Sequence, residues 1–120
     1  MMELLSGFPD NVLAVKASGQ VTQKDYETVL IPAAQAALRR HEKLRVYYEI
    51  ASDFTGFDLG AVWEDFIFGV GHVLRWERVA TVTSVEWIIQ AVKNLSFLMP
   101  CPVKAFTPVE AAQAKEWILQ

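Results

Sequence analysis

The chain has 120 residues, a formal net charge of −3, 52% hydrophobic residues and 21% charged residues. That length suits a single domain over residues 1–120 with one real core, and the apolar share excludes a disordered chain. Lysine and arginine are scattered apart from Arg39, Arg40 and Lys43, so the basic footprint of a nucleic-acid binder is absent; the cluster reads as a solvated helix end, where cations suit the dipole.

The first residues, Met1-Met2-Glu3-Leu4-Leu5, lack the basic region and long apolar run of a signal peptide. With one cysteine, Cys101, no intrachain disulfide can form, and a cytoplasmic location is expected. Leu4-Leu5 begins a short strand. Gly7-Phe8-Pro9-Asp10-Asn11 makes a turn, and Val12 to Ser18 forms a second strand closed by Gly19, so the two predict a hairpin.

Helix 1 starts at Thr22, which stands at capping-box spacing from Asp25. Pro32 removes a donor and crowds the preceding turn, which predicts a kink or two helical pieces before about His41. The apolar side of this helix is Tyr26, Val29, Leu30, Ala33, Ala37 and Leu38. Leu44 to Ala51 is the clearest strand, with Val46, Tyr48 and Ile50 alternating with Tyr47 and Glu49. Ser52 to Phe57 is read as a loop, and Asp58 as the cap of helix 2, which extends to Leu74.

Helix 2 is apolar on more than one side. At about 100° per residue, Leu59, Val62, Trp63, Phe66, Val70 and Val73 form a core face, while Phe68 falls among Glu64, His72 and Arg75. Gly69 and Gly71 inside it each cost about 1 kcal/mol against alanine, which calls for a close backbone contact or a bend. The charges exclude a membrane span, which needs about 18 apolar residues in a row. A strand follows over Arg78 to Val82.

Thr83 and Glu86 open helix 3 with a second capping box; Val85, Ile88, Val92, Leu95 and Met99 line its inner face, and Pro100 and Pro102 end it. Phe97 lies opposite that face and Trp87 on a flank. Val103 to Phe106 is the last strand. Thr107, Pro108 and Glu110 then supply an N-cap, a first-turn proline and a capping-box acid for helix 4, which faces Ala111, Ala114 and Ile118 inward with Trp117 beside them. The order predicts an α/β fold: a small mixed sheet, made of an N-terminal hairpin plus helix-connected strands, flanked by about four helices.

Ligands of such open sheets favour the carboxyl ends of parallel strands, here the loop Ser52 to Phe57 and the start of helix 2. Asp53, Thr55 and Asp58 form the polar candidates there. Trp63, Phe68, Trp76, Trp87 and Phe97 are the apolar candidates; the last four could line a groove between helices 2 and 3 or a dimer contact, because contiguous exposed apolar patches mark interaction sites. No pair among His41, His72 and Cys101 has metal-ligand spacing, and no serine lies in a nucleophile-elbow setting, so neither a metal nor a catalytic residue is expected. Gly69-Val70-Gly71 lies inside a helix and cannot cradle a phosphate.

Three stretches carry a family resemblance: Tyr26 to Pro32, Val46-Tyr47-Tyr48-Glu49-Ile50 through Asp58-Leu59-Gly60-Ala61-Val62-Trp63, and Ala105-Phe106-Thr107 through Trp117-Ile118. Together with the element order they resemble the SpoIIAA-like proteins, related to STAS domains of the anti-sigma-factor-antagonist type and to the CRAL-TRIO lipid-carrier fold. The resemblance implies a small mixed sheet flanked by helices, without enzyme activity or cofactor. STAS antagonists dock on a partner and are switched by a serine at the start of the helix after the central strand. Here Phe54 or Leu59 stands in that register, and Thr55 is the only nearby hydroxyl that could substitute. A non-enzymatic binding module is therefore expected, taking a small apolar or lipid-like ligand between helices 2 and 3, or else docking on a regulatory protein; a homodimer is expected in either case.

Overall fold

The structure, a computed structural model, describes residues 1–58, 76–95 and 101–120, and for Gln23, Tyr26, Phe57, Asp58, Trp76 and Leu95 the backbone only. Strand β1 (Met2–Leu4) and strand β2 (Val12–Ala17) form the expected hairpin, pairing antiparallel with Met2 opposite Ala17. The first strand begins two residues earlier than the Leu4-Leu5 reading, because Met2 is buried in the core. A three-residue strand β3 (Gln20–Thr22) follows, which the sequence pattern did not reveal.

Helix 1 is divided as Pro32 requires. A short α1 (Gln23–Asp25) runs into a π-helical turn (Tyr26–Leu30), and α2 (Ile31–Arg40) resumes with Pro32 in its first turn, where a missing N–H costs nothing. Thr22 and Asp25 cap the start reciprocally: the Thr22 N–H donates to Asp25 Oδ2 at 3.0 Å and the Asp25 N–H donates to Thr22 Oγ1 at 3.2 Å. The Thr22 backbone N–H is the main reason that the Asp25 carboxyl is held below its usual range. Arg39 and Arg40 are exposed in the last turn of α2, as expected. His41, just past the end of α2, is half-buried.

Strand β4 (Leu44–Ile50) is central. With β6 (Trp76–Thr83) and β7 (Val103–Phe106) it completes a five-stranded sheet of order β1-β2-β4-β6-β7, all parallel except the first pair. A second, two-stranded parallel sheet joins β3 to β5 (Gly56–Asp58). Here the sequence reading is corrected: Phe57 belongs to a strand, not a loop, and Asp58 is the last residue of that strand. Beyond Asp58, the helix expected over Asp58–Leu74 lies outside the described residues.

Both faces of the main sheet are covered, which explains the unbroken apolar run Val12-Leu13-Ala14-Val15 of β2. On one face Leu13, Val15 and Ala17 pack with Met2, Val21, Leu30 and Ala34, beneath α2. On the other, Val12, Ala14, Tyr47, Ala80 and Val82 pack with Ala114 and Ile118 of α4 (Ala111–Leu119). Tyr47, which alternates with Val46, Tyr48 and Ile50 along β4, is fully buried because α4 lies over it. Helix α3 (Glu86–Leu95) connects β6 to β7 in the same direction as α2 connects β2 to β4, so right-handed crossovers put both on one face. Ile88 is buried, as the helical phase of α3 requires.

The capping box at the last helix is present in full. The Thr107 N–H donates to Glu110 Oε1 at 2.9 Å, and Pro108–Glu110 forms a 3-10 turn leading into α4. That N–H first, and the Thr107 hydroxyl second, hold the Glu110 carboxyl below its ordinary value of 4.5. A lowered folded-state pKa stabilises the fold above the unfolded-state value and stops doing so as pH falls through the folded-state value. Wild type should therefore melt above Glu110→Gln at neutral pH, with the gap closing as the pH drops below 4.5. Melting curves across that range check this; a gap independent of pH would refute it.

Candidate functional site

The carboxyl ends of the parallel strands meet in a small, tied-down loop. Ala51 continues β4 by donating its N–H to Ala17 O at 2.8 Å. A tight turn follows, in which the Phe54 N–H donates to Ala51 O at 3.1 Å. Gly19 holds the far side of this loop. Its N–H donates to Asp53 Oδ1 at 3.4 Å, and its carbonyl accepts from the Thr55 N–H at 2.8 Å. A φ of 56° at Gly19 is left-handed backbone that favours glycine. Gly56, with φ of 148°, turns the chain out of the loop into β5.

Asp53 and Thr55 are thus brought together on an exposed loop, as the sequence placed them. Ser52 is exposed beside them. Phe54 points the other way: it is half-buried against the Leu13–Val15–Leu30 cluster. Asp58 ends β5 opposite Thr22, and Trp76 begins β6 opposite Leu44. Trp63, Phe68 and Phe97 lie outside the described residues. Trp87, in the first turn of α3, is 59% exposed, so the aromatic that helical phase put on a flank does face solvent.

Three hydroxyls lie under this edge, none of them among the site residues read from the sequence. Tyr48, Thr81 and Thr83 lie on the α2 face of β4 and β6, with Tyr48 opposite Thr81 and Ile50 opposite Thr83. Thr81 and Thr83 are buried. Thr83 Oγ1 accepts the Val85 N–H at 3.0 Å, which fixes the turn into α3. Among the described residues the enclosed Tyr48 hydroxyl has no hydrogen-bond partner, and burial pushes its pKa above the usual tyrosine value. The alternation in β4 was the available signal for Tyr48, but a pattern of apolar positions says nothing of where a hydroxyl finds its partner.

The opposite face holds a different polar set. Tyr47 donates to Glu49 Oε1 at 3.3 Å, and Lys16 Nζ lies 3.9 Å from Glu49 Oε2. Burial, and then the Glu49 charge, push the Tyr47 phenol up to about 12, so it stays protonated at neutral pH. Back on the α2 face, Cys101 is half-buried against Ala37, Leu38 and Leu44, and burial raises its thiol pKa, which fits a packing role. Among the described residues, no group of His, Cys, Asp and Glu side chains could hold a metal ion. No helix of the described residues is long and apolar enough to cross a membrane.

The SpoIIAA-like family model matches residues 12–119, nearly the whole chain. A crystal structure of a DUF3478-family protein with a SpoIIAA-like fold, from Shewanella loihica PV-4, superposes with a TM-score of 0.73 at 25% identity. The match covers 98% of this chain and 92% of that one. No curated protein matches the chain. The mixed sheet with helix crossovers, the sequence motifs and these two matches agree on a STAS-related module: the chain belongs to the SpoIIAA-like family.

Proposed function

We propose that this protein is a non-enzymatic binding module that takes a small apolar or lipid-like ligand beside α3. The observation that carries this reading is Trp87: a large aromatic left 59% exposed at the carboxyl edge of a parallel sheet, where α/β folds take their ligands. Covering such a ring is worth roughly 1.5–3 kcal/mol, a real drive toward a ligand. Organic extraction and native mass spectrometry of the purified protein should reveal a bound lipid. Trp87→Ala should weaken binding of the fluorescent fatty acid cis-parinaric acid by about tenfold or more. Absence of both an extracted lipid and any probe binding would refute the reading.

A second reading, docking on a regulatory protein, is favoured by the Asp53–Thr55 loop. Its polar side chains are exposed, yet the backbone is fixed to Gly19, so little ordering is needed on binding. With Phe54 half-buried in the register of the usual serine, this docking would lack that phosphorylation switch. A partner that binds wild type but not Asp53→Lys, from a protein that yields no lipid, would favour this reading over the first.

A further inference from the structure

The Tyr48 hydroxyl is enclosed in a mainly aliphatic layer. Its ring packs against the cluster of Leu13, Val15, Val21, Leu30 and Ala34, all aliphatic and without side-chain acceptors. Its oxygen is enclosed and has no hydrogen-bond partner among the described residues. Buried polar groups without partners are rare, because each gives up its bonds to water and gains none in return. Phenylalanine would fill the same space without that loss. Beside Tyr48 in register stands Thr81, a second buried hydroxyl on the same face, and one strand-end further on lie Thr83 and the first turn of α3 with Trp87. An apolar layer that carries two neighbouring hydroxyls, one of them unsatisfied, with an exposed aromatic at its rim, has the composition of a site for an amphipathic molecule.

We propose that Tyr48 is the polar anchor of the ligand site, its O–H donating to a carboxyl oxygen of a fatty-acid-like molecule whose tail runs toward the exposed Trp87 ring. This rests on the apolar-ligand reading above and adds to it a head-group chemistry and a residue. Thr81 is the neighbouring group able to share the same head. The bond satisfies the buried hydroxyl only when ligand is present, so the loss suffered by the empty protein becomes a gain on binding.

Two probes separate the head from the tail: cis-parinaric acid, which has a carboxyl group, and diphenylhexatriene, which has none. Wild type should bind both. Tyr48→Phe should bind the acid about tenfold more weakly, the factor one net hydrogen bond carries, and bind diphenylhexatriene unchanged. It should also melt no lower than wild type, since the empty protein loses only an unsatisfied group. Equal acid affinity in the two proteins overturns the anchor and leaves the ligand reading standing. An equal weakening for both probes also overturns it, because the ring's packing rather than its hydroxyl would then be at work. Failure of wild type to bind either probe overturns the anchor and the ligand reading together.

Discussion

Ile118→Ala should destabilise the protein by about 2–5 kcal/mol, the usual cost of removing a large aliphatic side chain from a packed core. Ile118 is fully buried and sits with Ala114 against Ala14, Tyr47, Ala80 and Val82, all small or already fully enclosed. Alanine at three of these positions leaves little side chain able to swing into the space, so the cavity should persist. A typical domain has only about 5–15 kcal/mol of net stability, and the loss is therefore a large share of it. The urea midpoint should fall with an unchanged slope. The neighbouring Leu119→Ala, at a side chain 53% exposed, serves as the control and should cost under about 0.5 kcal/mol. A cost for Ile118→Ala as small as that of the control would mean that α4 is not seated on this face.

Arg45→Met should cost about 1.5–3 kcal/mol, and Arg45→Lys should recover only part of it. Arg45 rises from the start of β4 beneath the end of α4. Its Nε donates to Glu77 Oε1 at 2.6 Å and its Nη1 to the Ile118 carbonyl at 2.7 Å. The last carbonyls of a helix have no partner within the helix, and a cation there suits the dipole. Arg78, on the next strand, repeats the arrangement: its Nη1 donates to the Trp117 carbonyl at 2.9 Å and its guanidinium lies 5.2 Å from the Trp117 ring centroid. Methionine keeps the stem of Arg45 but leaves the Ile118 carbonyl and the Glu77 carboxylate without their donor. Lysine restores the charge, yet one ammonium cannot reproduce the planar fork that reaches a carboxylate and a carbonyl together. Full recovery by Arg45→Lys in chemical denaturation would show that charge alone holds this end of the helix.

Much of this fold was legible because its signals are local. The Thr22–Asp25 and Thr107–Glu110 boxes, the break at Pro32 and the bounds of β7 each depend on residues within a few positions of one another. The pair β3 and β5 was not legible. Each strand is three residues long, too short to show a period, and Gln20 finds Gly56 only through the tertiary fold. The burial of Tyr47 was not legible for a related reason: alternation along β4 cannot reveal that a helix more than 60 residues later covers the second face. At the site, the position of Asp53 and Thr55 at the end of β4 followed from strand order, while their attachment to Gly19 needed the folded chain. The exposure of Trp87 followed from helical phase, and the unsatisfied Tyr48 hydroxyl followed from nothing that a single sequence displays.

One face of the five-stranded sheet depends on α4, which is made after every strand it covers. During synthesis, therefore, all five strands leave the ribosome before the residues that shield Tyr47, Ala80 and Val82 from water. Until α4 emerges, a nearly finished sheet presents a greasy side to its surroundings, and the nascent chain is at its most vulnerable to chaperone capture or clumping in that interval.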